Sequence, residues 1–245
     1  MKNILTIFLI ALGASFQLYT AQEVKKFTIE KALSPHLYLY KSYGVFGGRE
    51  YSANALYLIT KKGVVLFDVP WQRNQYQELL DEIYQKHQLP VIAVFATHWH
   101  QDRAGDLSFF NRKNIPTYAT EKTNRLLLQN GKSPSSHLIQ LGKTYTIGGE
   151  KFRIDFPGEG HTEDNVVVWF PKYHILDGGC LVKSSEATDL GNLEEINTQQ
   201  WPASIQYIYQ HYPKNIMVIP GHDEWEKGDH LQHTLDLLNA YHSKN

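Results

Sequence analysis

Apolar residues recur along this chain at two different periods. Residues 27–31 and 36–40 alternate apolar and polar, the pattern of half-buried strands. Residues 55–59 and 64–67 predict two more, the second ended by Asp68 and closed by Pro70. Between them, residues 44–48 read as a turn or mobile loop. Its Val45 and Phe46, set among glycines, reach into solvent or over a cleft. Asn74 is placed to cap a helix on which Tyr76, Leu79, Leu80 and Ile83 recur at helical spacing. The unbroken apolar run 91–96 predicts a buried strand. Short helices are expected at 107–110 and 123–128, and short strands at 145–147, 152–156, 166–170 and 174–176. Trp201, Ile205 and Ile208 share one helix face, 216–219 is a buried strand, and Leu231, Leu235 and Leu238 stripe a C-terminal helix. Strands and helices mix throughout, without a Ser/Gly/Pro linker or a repeat. That predicts one α/β domain with a sheet core and outer helices, whose strand order the pattern leaves open.

Composition narrows the class. At 245 residues and 42% hydrophobic content the chain is long enough for a substantial core without disulfides, and is not a disordered one. A formal charge of −1 offers no basic excess for nucleic acid or an anionic membrane. Lys2 followed by the apolar run 4–16 has the form of an export signal, too short to span a bilayer comfortably. Residues 1–21 are read as that signal and 22–245 as the exported, periplasmic domain, although Tyr19 is a poor fit for the small residue expected before the cut. No second stretch is long enough for a membrane span. Cys180 is the sole cysteine. A lone thiol in an oxidising compartment is either buried or bound to metal, and both readings stand at this point.

The chemistry gathers after the 91–96 strand, in Thr97-His98-Trp99-His100-Gln101-Asp102-Arg103. Histidine and aspartate are zinc ligands. On an extended segment alternate side chains point the same way, so His98, His100 and Asp102 are expected to converge. Three later strand ends deliver a further ligand type directly after a glycine: Gly160-His161, Gly179-Cys180 and Gly221-His222. Singly, each has an ordinary explanation as a hydrogen-bonded histidine or a small buried cysteine. Together they make six donors, too many for one tetrahedral zinc and suited to two. Three neutral histidines leave a zinc electrophilic enough to ionise bound water; Asp102 and Cys180 lower the charge on a second. The other eight histidines (36, 87, 137, 174, 211, 230, 233 and 242) lack this context and are assigned to surface or core.

These motifs, with residues 67–71, 164–169, 179–184 and 233–237, resemble the metallo-β-lactamases of class B, first subclass, and most of all their chromosomal flavobacterial members. The resemblance covers essentially the whole mature chain. It implies a four-layer αββα sandwich with the site at the sheet edges. It also implies a first zinc on His98, His100 and His161, and a second on Asp102, Cys180 and His222. Lys183 resembles the lysine that pairs with the substrate carboxylate, and Asn192 the asparagine beside the lactam carbonyl, although Asn192 also suits a turn cap. Val45 and Phe46 correspond to the loop that covers bound drug, and Asp68 and Arg103 to groups behind the ligands. The implied activity is zinc-dependent β-lactam hydrolysis, carbapenems included, with zinc-held hydroxide as nucleophile and Asp102 orienting it. The expected partner is a small-molecule β-lactam, and the chain is expected to be a monomer. Departures are Asp106 and Glu194 where many relatives have glycine, the bulky Trp99, and Gln101 in place of an acid. A thioesterase or lactonase resembling glyoxalase II, and a non-catalytic zinc-binding protein, are the competing readings. Arg103 and Cys180 argue against the former, and one ligand short on each metal against the latter.

Overall fold

The computed structural model describes residues 26–244, leaving the expected signal segment outside the described residues. Two sheets carry the fold. The first has seven strands in sequence order: β1 (Thr28–Ala32), β2 (Leu37–Phe46), β3 (Arg49–Thr60), β4 (Gly63–Phe67), β5 (Val91–Phe95), β6 (Thr117–Ala119) and β7 (His137–Leu138). The second runs β12 (Met217–Pro220), β11 (Ile175–Gly179), β10 (Val167–Phe170), β9 (Glu150–Asp155) and β8 (Thr144–Ile147). Five helices complete it: α1 (Tyr76–His87), α2 (Leu107–Asn111), α3 (Glu121–Gln129), α4 (Trp201–His211) and α5 (His230–His242).

The layers follow from alternation along the strands. In β4, Val65 and Phe67 face the second sheet, where Phe152, Ile154, Val168 and Phe170 meet them. Their neighbours Val64 and Leu66 face outward, under Leu79 and Ile83 of α1, Leu107 and Phe110 of α2 and Leu127 of α3. In the second sheet Val167, Trp169 and Leu176 turn outward against Trp201, Ile205 and Ile208 of α4 and Leu231 and Leu238 of α5. Three apolar layers between four layers of structure are the expected αββα sandwich.

Three local expectations are corrected. Residues 44–46 are not loop: β2 runs through them to Phe46 and pairs antiparallel with β3, leaving only Gly47 and Gly48 as the turn. Cross-strand bonding overrides the glycine-rich composition. Asn74 does not cap α1; a 3-10 turn over Arg73–Gln75 precedes the helix, and Gln75 holds the cap position without a side-chain bond. Two strands, β6 and β7, were not foreseen, because three and two residues are too few to display a period.

Strand direction positions the site. β4 and β5 are parallel, as are β11 and β12, so the segments leaving β5, β11 and β12 emerge at sheet edges where side chains can meet. Hydrogen bonds between the sheets hold those edges together: Asn54 N donates to Gly221 O at 2.8 Å, Asn54 Nδ2 to Pro220 O at 2.9 Å, and Val166 N to Thr97 O at 2.9 Å. Among the described residues no helix is long and apolar enough to cross a membrane.

Candidate metal centre

All six sequence-predicted ligands come together. His98 Nε2 and His100 Nδ1 lie 3.2 Å apart, and His100 Nδ1 and His161 Nε2 3.1 Å. Beside this trio, Cys180 Sγ is 3.1 Å from His222 Nε2 and 3.8 Å from Asp102 Oδ2, and His222 Nε2 is 3.6 Å from Asp102 Oδ2. Asp102, Cys180 and His222 form a group able to hold a metal, and so do His98, His100 and Asp102. None of the other eight histidines belongs to such a group among the described residues.

The route to convergence differs from the one expected. After β5 the chain is not extended but coils into turns, with His100 O accepting from Arg103 N at 3.1 Å and Ala104 N at 2.8 Å. The turns, rather than strand alternation, bring His98, His100 and Asp102 together. Glycine before the later ligands has a specific cause. A Cβ on Gly221 would stand 2.6 Å from Cys180 N, so His222 and Cys180 are brought together by backbone contact only glycine permits. Gly179 adopts φ +51, which turns the chain off β11 into Cys180.

Hydrogen bonds aim the ligand atoms. His222 Nδ1 donates to Ser52 O at 2.6 Å, and a carbonyl only accepts, so Nε2 keeps its lone pair for the site. His100 Nε2 donates to Glu195 Oε2 at 3.2 Å, which leaves Nδ1 inward. Thr97 Oγ1 donates to Asp68 Oδ2 at 2.9 Å and so receives His98 Nδ1 at 3.4 Å, freeing Nε2. Imidazoles oriented by such partners are the usual construction of metal sites.

Protonation agrees with that geometry. Burial lowers the pKa of His98 and His161 well below the ordinary histidine value, and that of His222 to about 4, so all three are neutral donors at pH 7. Burial alone would raise Asp102, but Arg103, then His222 and His98, hold it well below the usual carboxylate range. Burial pushes the Cys180 thiol up to about 12; a bound metal is what would displace its proton. Behind the ligands lies fully buried Arg103, with Nε 2.8 Å from Asp102 Oδ2 and Nη1 3.3 Å from Asp68 Oδ2. Its Nη1 donates to Asn54 O at 2.6 Å and its Nη2 to Gly221 O at 2.5 Å. Asp177 also acts on Arg103, and its Oδ2 has no hydrogen-bond partner among the described residues. One guanidinium therefore faces three buried carboxylates. Burial pushes Asp68 and Asp177 up against the pull of Arg103, whereas Asp102 stays ionised. That carboxylate and the inward lone pairs fit metal cations.

His100, Asp102, His161 and His222 line a cavity of about 760 Å³. Val45 and Phe46, 40% and 51% exposed at the tip of the β2–β3 hairpin, line it with Trp71, Lys183 and Asn192. Lys183 is buried rather than a solvated surface lysine, with Nζ 5.5 Å over the Trp201 ring. Burial lowers its pKa, against Cys180, Asp189 and Asp102, which hold it up. Asn192 does close a turn: its Oδ1 accepts from Glu194 N at 3.1 Å, which leaves the Nδ2 amide as a donor. Sequence reading missed two wall residues. Glu195 Oε2 accepts from Trp99 Nε1 at 2.8 Å as well as from His100, and Lys132 stands over the Trp99 ring. Only the bulk of Trp99 signalled anything there. Asp106, by contrast, needs no glycine geometry; φ is −120 and its carboxylate pairs with Arg73 at 2.7 Å.

A four-layer sandwich bearing imidazole, carboxylate and thiol donors at its sheet edges defines a metal-site protein of the αββα class. The sequence pattern of the Metallo-beta-lactamase superfamily matches residues 48–222. The chain is 58% identical over 239 residues to Metallo-beta-lactamase IND-1 of Chryseobacterium indologenes, covering 98% of this chain and 99% of the relative. It is 40% identical to Metallo-beta-lactamase type 2 of Elizabethkingia meningoseptica, covering 100% of this chain and 98% of that one. The crystal structure of metallo-beta-lactamase IND-7 superposes with a TM-score of 0.86 at 62% identity, covering 89% of this chain and all of the other. The chain belongs to the metallo-β-lactamase superfamily. Membership implies a metal cofactor, and this chain carries the residues to hold one.

Proposed function

We propose that this chain is a zinc-dependent β-lactamase, which opens the β-lactam amide by hydrolysis. The observation that carries the reading is the cluster of six donors, His98, His100 and His161 beside Asp102, Cys180 and His222, four of which (His100, Asp102, His161 and His222) line one drug-sized cavity. The first trio would hold one zinc ion and the second trio another. Bound there, zinc supplies Lewis acidity toward the lactam and lowers the pKa of water to near neutrality.

The chain's own residues do the rest. Lys183 binds the substrate carboxylate as a point charge. Asn192 donates Nδ2 to the lactam carbonyl oxygen, its Oδ1 being fixed by Glu194 N. Asp102, kept ionised by Arg103, accepts a hydrogen bond from the attacking water and orients it. Val45, Phe46 and Trp71 lie over the bound drug and exclude solvent. The reading includes export by residues 1–21, with 22–245 as a monomeric periplasmic domain; carbapenems are among the substrates. The identities to named metallo-β-lactamases support it.

Nitrocefin hydrolysis with and without EDTA is the direct test. Hydrolysis that survives complete metal removal overturns the mechanism. Cys180→Ser is expected to lower zinc stoichiometry from about two toward one per chain, read by atomic absorption after dialysis, and to cut turnover sharply. Unchanged stoichiometry would remove Cys180 from the ligand set.

A further inference from the structure

The proposed chemistry uses one cation of the cavity, Lys183, and leaves another without a task. Lys132 lines the same cavity on the segment after α3 and is half-buried. Its backbone N donates to Leu127 O at 2.8 Å, but among the described residues its ammonium makes no hydrogen bond and no ion pair, and Nζ stands 5.2 Å over the Trp99 ring. Lys122, within α3, is by contrast held by Glu159 at 3.3 Å and Glu163 at 3.1 Å. Taking an ammonium partly out of water without a directly paired carboxylate is costly, and burial lowers its pKa, with the more distant Asp102 charge acting the other way. The indole face recovers part of that cost. The indole is itself fixed, by the bond from Nε1 to Glu195 and by edge contact with the His100 ring at 4.8 Å. Glu195, the acid on this flank, has its Oε2 committed to two donors. The result is an unpaired positive charge presented to the cavity from a rigid platform.

Its position names the ligand chemistry. Lys183 stands three residues beyond Cys180, whereas Lys132 lies on the His100 flank, beside Trp99. A fused-ring β-lactam carries its ring carboxylate on one side of the four-membered ring and its acylamino side chain on the other. With the carboxylate on Lys183 and the lactam over the ligand cluster, the acyl side chain points to the Trp99 flank. We propose that Lys132 forms a second anion subsite, which takes a carboxylate at the tip of the acyl side chain and makes the enzyme favour dianionic β-lactams over their neutral-tipped counterparts. This deepens, and rests on, the β-lactamase reading above.

The test compares two cephalosporins that differ only at the side-chain tip, a carboxylate in one and its carboxamide in the other. They are hydrolysed by the zinc-loaded full chain, by Lys132→Gln and by Lys132→Arg. Lys132→Gln is expected to raise KM for the acid about tenfold, the loss of one charge-assisted hydrogen bond, and for the carboxamide by no more than about twofold. Lys132→Arg restores most of the difference. Stopped-flow quenching of tryptophan fluorescence reads the same shift in Kd before turnover. In the unmutated enzyme, added salt narrows the preference for the acid. Equal losses on both substrates would make Lys132 a packing residue on Trp99 and overturn the proposal, as would no loss on either. A salt-independent preference overturns it even if the variants fail to fold. If the loaded chain hydrolyses neither compound, the β-lactamase reading itself falls; if it hydrolyses both with no dependence on Lys132, only the subsite falls.

Discussion

The Trp99 indole N–H and His100 Nε2 together hold Glu195. The Glu195 carboxylate joins Trp99, inside the ligand motif, to the segment that carries Asn192, and also to the ligand His100. Removing the indole N–H while keeping an aromatic ring deletes the hydrogen bond at the cost of some bulk. Trp99→Phe is expected to speed amide hydrogen exchange over residues 192–195 and to raise KM about three- to tenfold, with kcat changed less. Exchange and KM both unchanged would leave Glu195 without a role in holding that segment. Little of this was legible beforehand. Trp99 and Glu195 are 96 positions apart, and no local pattern pairs them. The cluster of candidate donors is legible, because histidine, aspartate and cysteine at strand ends are chemically distinctive wherever they lie. Asn192 was legible only as two alternatives, of which the fold shows the turn: its oxygen accepts from Glu194 N.

Among the elements, helices are held by their apolar faces and turns by a few polar bonds. Ile205 of α4 is fully buried against the second sheet, so Ile205→Ala is expected to cost about 2–5 kcal/mol, read by denaturant unfolding. At the other side of that sheet Glu150 opens β9. Burial would raise its pKa, but hydrogen bonds from Lys172 Nζ and the Tyr173 hydroxyl, both at 2.7 Å, bring it below the ordinary value. A carboxylate depressed in the folded state stabilises above its unfolded pKa, and that stability is lost as pH falls through the folded value. Glu150→Gln should therefore melt below the unmutated protein at pH 7, and the gap should close in acid below the usual glutamate range. A gap that persists there would assign it to packing. The helical spacing of α1 and α5 and the unbroken apolar run of β5 are evident in the sequence. The extension of β2 to Phe46 was not, since it depends on a partner strand rather than on residues 44–46 themselves.

For the whole molecule, the joint between the two sheets is the decisive feature, and Arg103 sits in it. It ties Asp102 and Asp68 to Asn54 O of the first sheet and to Gly221 O beyond β12 of the second. Arg103→Met leaves three buried carboxylates without their cation and is expected to cost about 3–5 kcal/mol in metal-free protein. Zinc should recover part of the loss, because it offsets the same charge; unfolding curves with and without EDTA check this. What the sequence determined by itself was the inventory: strands that bury both faces, helices that bury one, and six donors placed where strands stop. Those are local properties, set by residue type and by periods of two and 3.6. What only the tertiary structure decided was which strand ends share an edge, and hence that the six donors meet in one cluster. Those contacts join residues far apart in the chain, and they exist only once parallel strands have brought their ends to one side and the sheets have closed face to face.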